Sequence, residues 1–367
     1  MSVITDYYTK EEKAVVALRD LFEKFGYRKF KMSRFEEYEL YSKNKNFLEN
    51  DNIITITDLN GKLLALKPDV TLSIVKNTLA GDNDFSGEQK VYYNEDVFRG
   101  DTASHEIKTI MQVGIEHIGN IDLYSTAQTL YLAKESLKLI DADCILDISH
   151  QGYISGLLKD IDEAVKNKLV KLISEKNAHE ILRIAAQNGI SDETAKIIAD
   201  VSLMYGPIGK TIELAKKYVI NDEMKLAVAE IEAVYNVLKS IGESDNVNLD
   251  FSIINDMSYY NGIIFQGYVR NVPYYILSGG RYDKLIEKMG GKKLGAIGFA
   301  VYLDLIDMYS ESKNDYDCDV LVIYNAKTDV SKVLEITRNY ANSGKRIMTS
   351  VGENSAINAK ETIDLRA

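Results

Sequence analysis

The stretch between Gly152 and Ile241 constrains the fold more than any other feature of the sequence. It is rich in Ala, Leu, Lys and Glu, its apolar residues recur at helical spacing, and it contains no good candidate for a strand. The segments before and after it contain runs in which apolar and polar residues alternate, as they do in strands. The pattern predicts an α+β chain, in which a mostly antiparallel sheet carrying helices is interrupted by a helical insertion at about 152–241.

The segments before the insertion alternate between helical and extended patterns. Thr9 to Phe25 has apolar residues at helical spacing and is followed by Gly26, a typical residue at a helix C-terminus. An Asn-Gly pair between two short alternating runs predicts a hairpin. The other elements predicted here are a helix at Val70–Leu79, strands at Lys90–Phe98 and Thr109–Ile118, a helix at Tyr124–Ile140 and a strand from Leu146.

After the insertion the strand-like pattern returns and then changes at a polar spacer. The spacer at 310–317 separates a first domain, 1–310, from a small unit at 311–367. That unit has the pattern of one β-α-β element, and its tail after Gly352 looks too short to complete a doubly wound domain. The elements predicted before the spacer are strands at Val247–Ile254, Gly262–Val269, Tyr274–Leu277 and Ala296–Val301, and a turn at Gly279–Gly280 before a helix at Tyr282–Met289.

Charge and cysteine content exclude several classes of protein. The 367 residues include 44 Lys and Arg against 55 Asp and Glu, a formal net charge of -11, so non-specific nucleic-acid binding is not expected as the main activity. Cys144 and Cys318 lie far apart without histidines at ligand spacing, so neither a disulfide framework nor a metal site is expected. The absence of a membrane-length apolar run and of a secretory signal predicts a cytoplasmic protein.

Four short clusters carry residues suited to ligand binding. In the second cluster, Gln112, Gly114 and Glu116 alternate along a strand and therefore face one side. Each cluster also has a purely structural explanation, such as a helix cap, a solvated sheet face, core aromatics or a turn. The clusters are Leu66–Thr71 (LKPDVT), Val97–Asp101 with Ile110–Gly119 (VFRGD and IMQVGIEHIG), Met257–Phe265 (MSYYNGIIF), and Ser278–Asp283 with Gly295–Ala300 (SGGRYD and GAIGFA).

In this order and at this spacing, the four clusters resemble the catalytic domain of histidyl-tRNA synthetase, a class II aminoacyl-tRNA synthetase. The first is similar to that family's LRPE/D-x-T element and the second to motif 2 with the strand after it. The third is similar to the histidine-specific signature, and the fourth to the approach to motif 3. The resemblance covers 9–305, while 320–351 resembles part of the anticodon-binding domain. It implies a class II synthetase-like fold with a truncated α/β unit at the C-terminus.

The departures from the family pattern fall at positions that handle ATP. Asn255 stands where the histidine signature has an Arg, Leu305 where motif 3 has one, and Glu106 where the motif 2 loop has one. Adenylyl transfer depends on cations that neutralise charge on phosphate oxygens. The loss of these cations predicts a chain that does not activate amino acids, and the resemblance implies no catalytic residue, cofactor or metal.

The family's histidine pocket, in contrast, is largely kept. The resemblance implies acceptors for an α-ammonium group, partners for a carboxylate, and aromatic groups that bracket an imidazole ring. These histidine-binding residues are, in that order, Asp69, Thr71 and Glu116; Gln112 and Arg99; and Tyr259 and Tyr260.

A kept histidine pocket beside a broken ATP site resembles a paralogous family, the regulatory subunits of ATP phosphoribosyltransferase. That family acts in histidine biosynthesis, assembles with a short-form catalytic subunit and takes part in feedback by L-histidine. The resemblance implies a non-catalytic, allosteric subunit that self-associates into dimers or tetramers and binds neither tRNA nor membrane. Two alternatives stay open at this point: an active histidyl-tRNA synthetase, and a histidine-binding synthetase-like pseudo-enzyme with another partner.

Overall fold

The chain packs as two compact units, one of Thr9–Tyr309 and one that contains Ser310–Ala367. Each has its own apolar clusters. The structure, a computed structural model, describes residues 9–45, 48, 53–80, 87–100, 106–254, 259–290, 294–309, 316–352 and 356–366.

The larger unit is built on a nine-stranded sheet. Its strands and those of a small second sheet are β1 (Arg28–Lys29), β2 (Phe35–Glu37), β3 (Thr55–Thr57), β4 (Leu63–Leu66), β5 (Gln89–Gly100), β6 (Ile107–Gly119), β7 (Cys144–His150), β8 (Tyr205–Pro207), β9 (Val247–Asp250), β10 (Ile263–Val269), β11 (Leu277–Arg281) and β12 (Gly295–Tyr302). The large sheet has the order β1-β5-β6-β12-β11-β10-β7-β9-β8, and the small one β2-β4-β3. All neighbours pair antiparallel except β1 with β5 and β7 with β9. The expected α+β architecture with a mostly antiparallel sheet is confirmed.

Among the described residues of the larger unit there are twelve helices, and six of them belong to the insertion between β7 and β9. They are α1 (Lys10–Lys24), α2 (Tyr38–Ser42), α3 (Thr71–Ala80), α4 (Leu123–Ile140), α5 (Gln151–Leu157), α6 (Glu163–Ser174), α7 (Ala178–Gln187), α8 (Asp192–Ser202), α9 (Ile208–Lys217), α10 (Asp222–Ser240), α11 (Asp283–Gly290) and α12 (Asp304–Met308).

The main apolar core lies against one face of the nine-stranded sheet. Val113 and Ile115 of β6 and Phe299 of β12 are buried in it, together with Leu18 and Phe22 of α1. The rings of Phe22 and Phe299 meet edge to face with centroids 5.9 Å apart. Because side chains alternate along a strand, the residues between these point to the opposite face. That opposite face carries the cavity described below.

Local sequence chemistry explains where several elements begin and end. Thr9 and Glu12 form a reciprocal capping box at the start of α1, and Gly26, with φ +82°, follows its end. In the predicted hairpin, β3 and β4 pair antiparallel around a turn in which Gly61 has φ +81°. Both features agree with the sequence-based prediction.

The prediction of an insertion without a strand was wrong at one point. Residues 205–207 form β8, which pairs antiparallel with β9, so that Gly206 lies opposite Leu249. Three residues are too short to show alternation, and Pro207 marks the start of α9. The insertion is therefore attached to the edge of the large sheet by hydrogen bonds as well as by helix packing.

The predicted turn at Gly279–Gly280 was also wrong. Both glycines lie inside β11, hydrogen-bonded between β10 and β12. A Cβ on Gly279 would lie 2.4 Å from the carbonyl oxygen of Gly298, and one on Gly280 would lie 2.7 Å from Cδ1 of Tyr260. These glycines permit close packing across the sheet instead of a change of chain direction.

The second unit is a three-stranded parallel sheet with one helix. It comprises β13 (Cys318–Tyr324), α13 (Val330–Asn342), β14 (Ile347–Val351) and β15 (Ala359–Asp364), with the strand order β14-β13-β15. The β-α-β element was predicted, and the tail after it adds a further strand, β15, which pairs parallel with β13. Its alternation is hidden because its side chains are largely polar and partly exposed.

Candidate functional site

A cavity of about 560 Å³ opens on the face of the large sheet that is turned away from the main core. All seven residues predicted to bind a ligand line this one cavity, although they come from β5, β6, the first residue of α3 and the segments before α3 and β10. The described lining residues are Leu48, Asp69, Thr71, Tyr93, Arg99, Gln112, Glu116, Ile254, Tyr259, Tyr260, Tyr275, Ser278, Tyr282, Gly298, Phe299, Ala300 and Tyr302.

Sheet register creates the floor of the cavity. Gln112 and Glu116 of β6 lie opposite Tyr302 and Gly298 of β12, and both polar residues are almost fully buried. A Cβ on Gly298 would lie only 1.9 Å from Oε2 of Glu116. The glycine therefore makes the space in which a buried carboxylate lies across the neighbouring strand.

Glu116 is the more buried of the two carboxyl groups of the site, with an exposure of 2%. The Thr71 hydroxyl donates to its Oε1 at 2.7 Å, and the Tyr282 hydroxyl donates to its Oε2 at 2.5 Å. Burial raises the pKa of Glu116 to about 8, although the hydrogen bonds from Tyr282 and Thr71 oppose that rise; the nearby charge of Asp69 adds to it. A cation entering the cavity would favour the ionised form of this carboxyl.

Asp69 joins the cavity to the start of α3. Its Oδ1 accepts a hydrogen bond of 2.7 Å from the backbone N–H of Leu72, as the side chain of a helix N-terminal cap does. Its side chain is only partly buried, unlike that of Glu116. One residue therefore orders the first turn of α3 and places a carboxylate on the cavity wall.

Tyrosines form much of the remaining wall. The rings of Tyr259 and Tyr260 are 4.4 Å apart, and that of Tyr282 is 5.7 Å from Tyr259. Burial, together with neighbouring tyrosine hydroxyls and carboxylates, raises the pKa values of Tyr93, Tyr259 and Tyr282 well above the usual value for a phenol. These hydroxyls therefore stay neutral hydrogen-bond donors throughout the physiological pH range.

Sequence reasoning did not select Tyr93, Tyr275, Ser278, Tyr282 or Tyr302 as site residues. Tyr282 stands inside the quoted SGGRYD cluster, and its position directly before α11 was the available signal. Tyr93 lies on β5 opposite Gly114 of β6, so the alternation that selected Gln112 and Glu116 selects it once the register is known. That register cannot be derived from the sequence alone.

The positions expected to have lost a cation lie in different surroundings. Leu305 is half-buried and packs against the main apolar core, outside the described lining of the cavity. Glu106 is exposed immediately before β6. Asn255 lies outside the described residues. Among the described lining residues, Arg99 is the only cation, set against the carboxylates of Asp69 and Glu116.

The described residues form neither a metal site nor a membrane-spanning helix. No group of three His, Cys, Asp or Glu side chains there is arranged to hold a metal ion. Within the same residues, every helix is too short or too polar to cross a bilayer. Cys144 and Cys318 are both buried free thiols.

Comparison with known proteins agrees with this geometry. The family model for histidyl-tRNA synthetase matches residues 4–306. An ATP phosphoribosyltransferase regulatory subunit from Caldanaerobacter subterraneus subsp. tengcongensis is 31% identical over 308 residues, which cover 81% of this chain and 78% of the relative. The chain belongs to the ATP phosphoribosyltransferase regulatory subunits of the histidyl-tRNA synthetase family. A second regulatory subunit, from Oceanobacillus iheyensis, is 28% identical over 357 residues and covers 95% of this chain and 86% of its own length.

Solved structures share the fold of this regulatory-subunit family. An ATP phosphoribosyltransferase regulatory subunit/histidyl-tRNA synthetase from Bacillus halodurans has a TM-score of 0.82 at 23% identity and covers 100% of this chain and 97% of its own. A histidyl-tRNA synthetase from Nostoc has a TM-score of 0.73 at 19% identity, covering 94% and 83%. A chain of the ATP phosphoribosyl transferase (HisG:HisZ) complex from Thermotoga maritima has a TM-score of 0.64 at 20% identity, covering 81% and 98%. The expected class II synthetase-like fold is thereby confirmed.

Proposed function

We propose that this chain activates a short-form ATP phosphoribosyltransferase catalytic subunit and that L-histidine in the described cavity reports the output of the pathway. The observation that carries the proposal is the composition of that cavity. It combines two carboxylates, one guanidinium and several neutral hydroxyl donors in a space of about 560 Å³. Such a set suits a small zwitterion with a polar ring, and the volume is typical of small-molecule sites.

The ligand would be held by complementary charges. Arg99 of β5 is the cation that would meet the α-carboxylate, and Gln112 of the neighbouring strand β6 adds an amide to the wall of the same cavity. Asp69 and Glu116 are acceptors for the ammonium group and for N–H groups of the imidazole. Tyr259 and Tyr260 supply aromatic surface at the side of the cavity.

The same wall is poorly suited to a nucleoside triphosphate. A triphosphate brings several negative charges, and Arg99 is the only cation in the described lining, which also holds the carboxyl groups of Asp69 and Glu116. Leu305 packs into the apolar core where the synthetase pattern has a phosphate-binding Arg. This supports a subunit without aminoacylation activity of its own, which does not use tRNA as a substrate.

The partner follows from the family. The relatives that support the assignment are named regulatory subunits of ATP phosphoribosyltransferase, and one structural neighbour is a chain of the HisG:HisZ complex. We extend to this chain assembly with a catalytic subunit of that kind, and self-association into dimers or tetramers within the assembly. Regulation then requires that histidine bind two states of the assembly with different affinity.

The decisive experiment measures phosphoribosyl-ATP formation by a short catalytic subunit from the same source. The rate is recorded without this chain, with it, and with added L-histidine. We expect a large increase on adding the chain and suppression of that increase by histidine. The absence of both an increase and a complex on size exclusion would overturn the proposal and leave a histidine-pocket protein with another partner.

A second measurement separates this function from that of an active synthetase. Histidine-dependent exchange between ATP and pyrophosphate reports adenylate formation directly. We expect no exchange above a protein-free blank, with an authentic histidyl-tRNA synthetase as the positive control. Robust exchange would show that the chain activates histidine and would contradict the non-catalytic assignment.

A further inference from the structure

A polar junction outside the cavity joins the helical insertion to the strands that form the cavity wall. It contains His150 at the end of β7, Glu230 in the middle of α10, Arg281 at the end of β11, and Asp283 with Asn261 beside it. Glu230 is the one member that belongs to the insertion. The junction is therefore a place where the insertion and the large sheet meet through charged side chains.

Glu230 occupies the centre of the junction. Its Oε2 is 3.1 Å from Nε2 of His150, and its Oε1 is 3.7 Å from Nη1 of Arg281. Burial acts to raise the pKa of Glu230, but the hydrogen bond from His150 and the electrostatic attraction to His150 and Arg281 outweigh it and lower the pKa overall. Glu230 is thus an ionised, half-buried acceptor with two different partners on the sheet.

His150 has both ring nitrogens engaged. The backbone N–H of Gly152 donates to Nδ1 at 3.0 Å, which caps the start of α5. Because Nδ1 is the acceptor in that bond, the ring hydrogen lies on Nε2 and is donated to Glu230. The orientation of the ring is therefore fixed from two sides.

Arg281 connects Glu230 to the segment that carries the cavity tyrosines. Its Nε donates to Oδ2 of Asp283 at 2.8 Å, and Asp283 exchanges hydrogen bonds with the side chain of Asn261 at 2.8 and 3.1 Å. The backbone N–H of Asn261 also donates to the carbonyl oxygen of Arg281 at 3.0 Å. Asn261 directly follows Tyr260 along the chain, so the position of Asn261 constrains where Tyr259 and Tyr260 lie in the cavity wall.

The same residues bracket a second cavity tyrosine. Tyr282 stands between Arg281 and Asp283, and its hydroxyl donates to Glu116 at the floor of the cavity. The ring of Tyr260 packs on Gly280, the residue before Arg281. Tyr260 and Tyr282 of the cavity are therefore immediate chain neighbours of Asn261 and Arg281, two members of the junction around Glu230.

We propose that Glu230 and Arg281 are positioning residues that couple the helical insertion to the histidine pocket. In this arrangement Glu230 fixes Arg281, Arg281 fixes Asp283 and Asn261, and these hold the tyrosines in the geometry that binds the ligand. The inference rests on the proposed function because its ligand is L-histidine. It assigns the insertion a role in the response to that ligand.

The test compares two isosteric changes on the same helix. Glu230→Gln removes the charge that faces Arg281, whereas Glu232→Gln removes a similar charge whose partner is Lys216 on the surface, 2.7 Å away. Titration calorimetry with L-histidine is run on the full chain for the wild type and both variants. We expect Glu230→Gln to weaken binding by about threefold to thirtyfold, and Glu232→Gln to leave it within about twofold.

A second readout separates positioning from general loss of stability. Hydrogen exchange is followed with and without L-histidine at the amides of α10 and of β6. In the wild type, histidine should slow exchange in both elements. In Glu230→Gln it should slow exchange in β6, which forms the floor of the cavity, and no longer in α10.

The outcomes distinguish this inference from the proposed function. Wild-type chain that binds no histidine would overturn both. Wild-type binding together with equal affinity in Glu230→Gln and Glu232→Gln would overturn the inference alone, as would persistent histidine-dependent protection of α10 in Glu230→Gln. If Glu230→Gln fails to fold, Arg281→Lys takes its place, because it keeps the positive charge but loses the planar guanidinium donor. The expected result is the same, and the same two outcomes would overturn the inference.

Discussion

At the scale of single residues, the cavity depends on a carboxyl that is expensive to ionise. Glu116 is almost completely buried, and the partners that hydrogen-bond it among the described residues are the neutral hydroxyls of Thr71 and Tyr282. Taking an ionised carboxylate out of water is costly unless an opposite charge compensates it. An incoming ammonium or imidazolium group would supply that compensation, so the cavity suits a ligand with a cationic group.

The pH dependence of stability tests this view of Glu116. The folded chain holds a proton there up to about pH 8, whereas the unfolded carboxyl releases it near 4.5. Since the folded state binds the extra proton, rising pH destabilises the fold between these values, by at most about 1.4 kcal/mol per pH unit. Glu116→Gln should remove this contribution. Denaturant unfolding of both proteins at pH 5.5 and 7.5 measures it, and an unchanged difference between the two pH values would contradict the assignment.

Gly298 should be as important as the carboxyl it accommodates. Gly298→Ala places a Cβ 1.9 Å from Oε2 of Glu116 and 2.4 Å from the carbonyl oxygen of Ile115, so the carboxylate must move. We expect a loss of about 1–3 kcal/mol of stability and of at least tenfold in histidine affinity. Thermal melts and calorimetry measure the two effects.

Gly267→Ala in β10 is the matched control. Its Cβ would meet Cδ1 of Leu137 at 2.6 Å on the core side of the same sheet, away from the cavity. This variant should lose stability and keep its affinity for histidine. Equal loss of affinity in both glycine variants would show that the effect is general overpacking of the sheet.

At the scale of secondary-structure elements, what the sequence predicts well is what local chemistry determines. The helix α1 follows from its apolar spacing and Gly26, and the hairpin of β3 and β4 follows from its Asn-Gly turn. The strand β8 and the position of Gly279 depend instead on the partner across the sheet. Periodicity describes one segment at a time, so it carries no information about which strand lies beside which.

The candidate site shows the same division. Residues in recognisable clusters were found, because a cluster such as LKPDVT combines a helix start with polar groups. Tyr93 and Tyr302 were not found, because only the pairing of β5, β6 and β12 brings them to the cavity. Pairing over long sequence separations is a property of the tertiary fold, and one sequence without its fold does not reveal it.

The start of α3 separates two roles of Asp69. The side chain caps Leu72 and also lines the cavity. Asn is about as good a cap as Asp but carries no charge, whereas Ala supplies neither property. We expect Asp69→Asn to weaken histidine binding with little change in the melting temperature, and Asp69→Ala to lose in addition about 0.5–2 kcal/mol of stability. If Asp69→Asn bound histidine as the wild type does, Asp69 would be a cap only.

At the scale of the whole molecule, the described parts of the pocket all lie within one of the two units. The residues that line the cavity run from Leu48 to Tyr302, and the junction around Glu230 also lies between these limits. The main core is likewise contained in Thr9–Tyr309. The unit at 310–367 has a separate small core built on β13 and α13. Binding of the effector is therefore expected to be a property of the larger unit.

A truncation to residues 1–309 tests this division of roles. Since a ligand that binds only the folded state stabilises it by RT ln(1 + [L]/Kd), L-histidine at a hundredfold excess over Kd should add about 2.7 kcal/mol to the larger unit. The increase in melting temperature should therefore be the same in the truncated and full-length proteins, and their affinities should agree within about twofold. Glu116→Gln in the truncated chain serves as the control for binding in the cavity.

The other outcomes would change this division of roles. If circular dichroism shows that the truncated protein is folded but calorimetry shows that it no longer binds histidine, the second unit contributes to the site. Equal binding with lost activation of the catalytic subunit would instead assign residues 310–367 to the assembly.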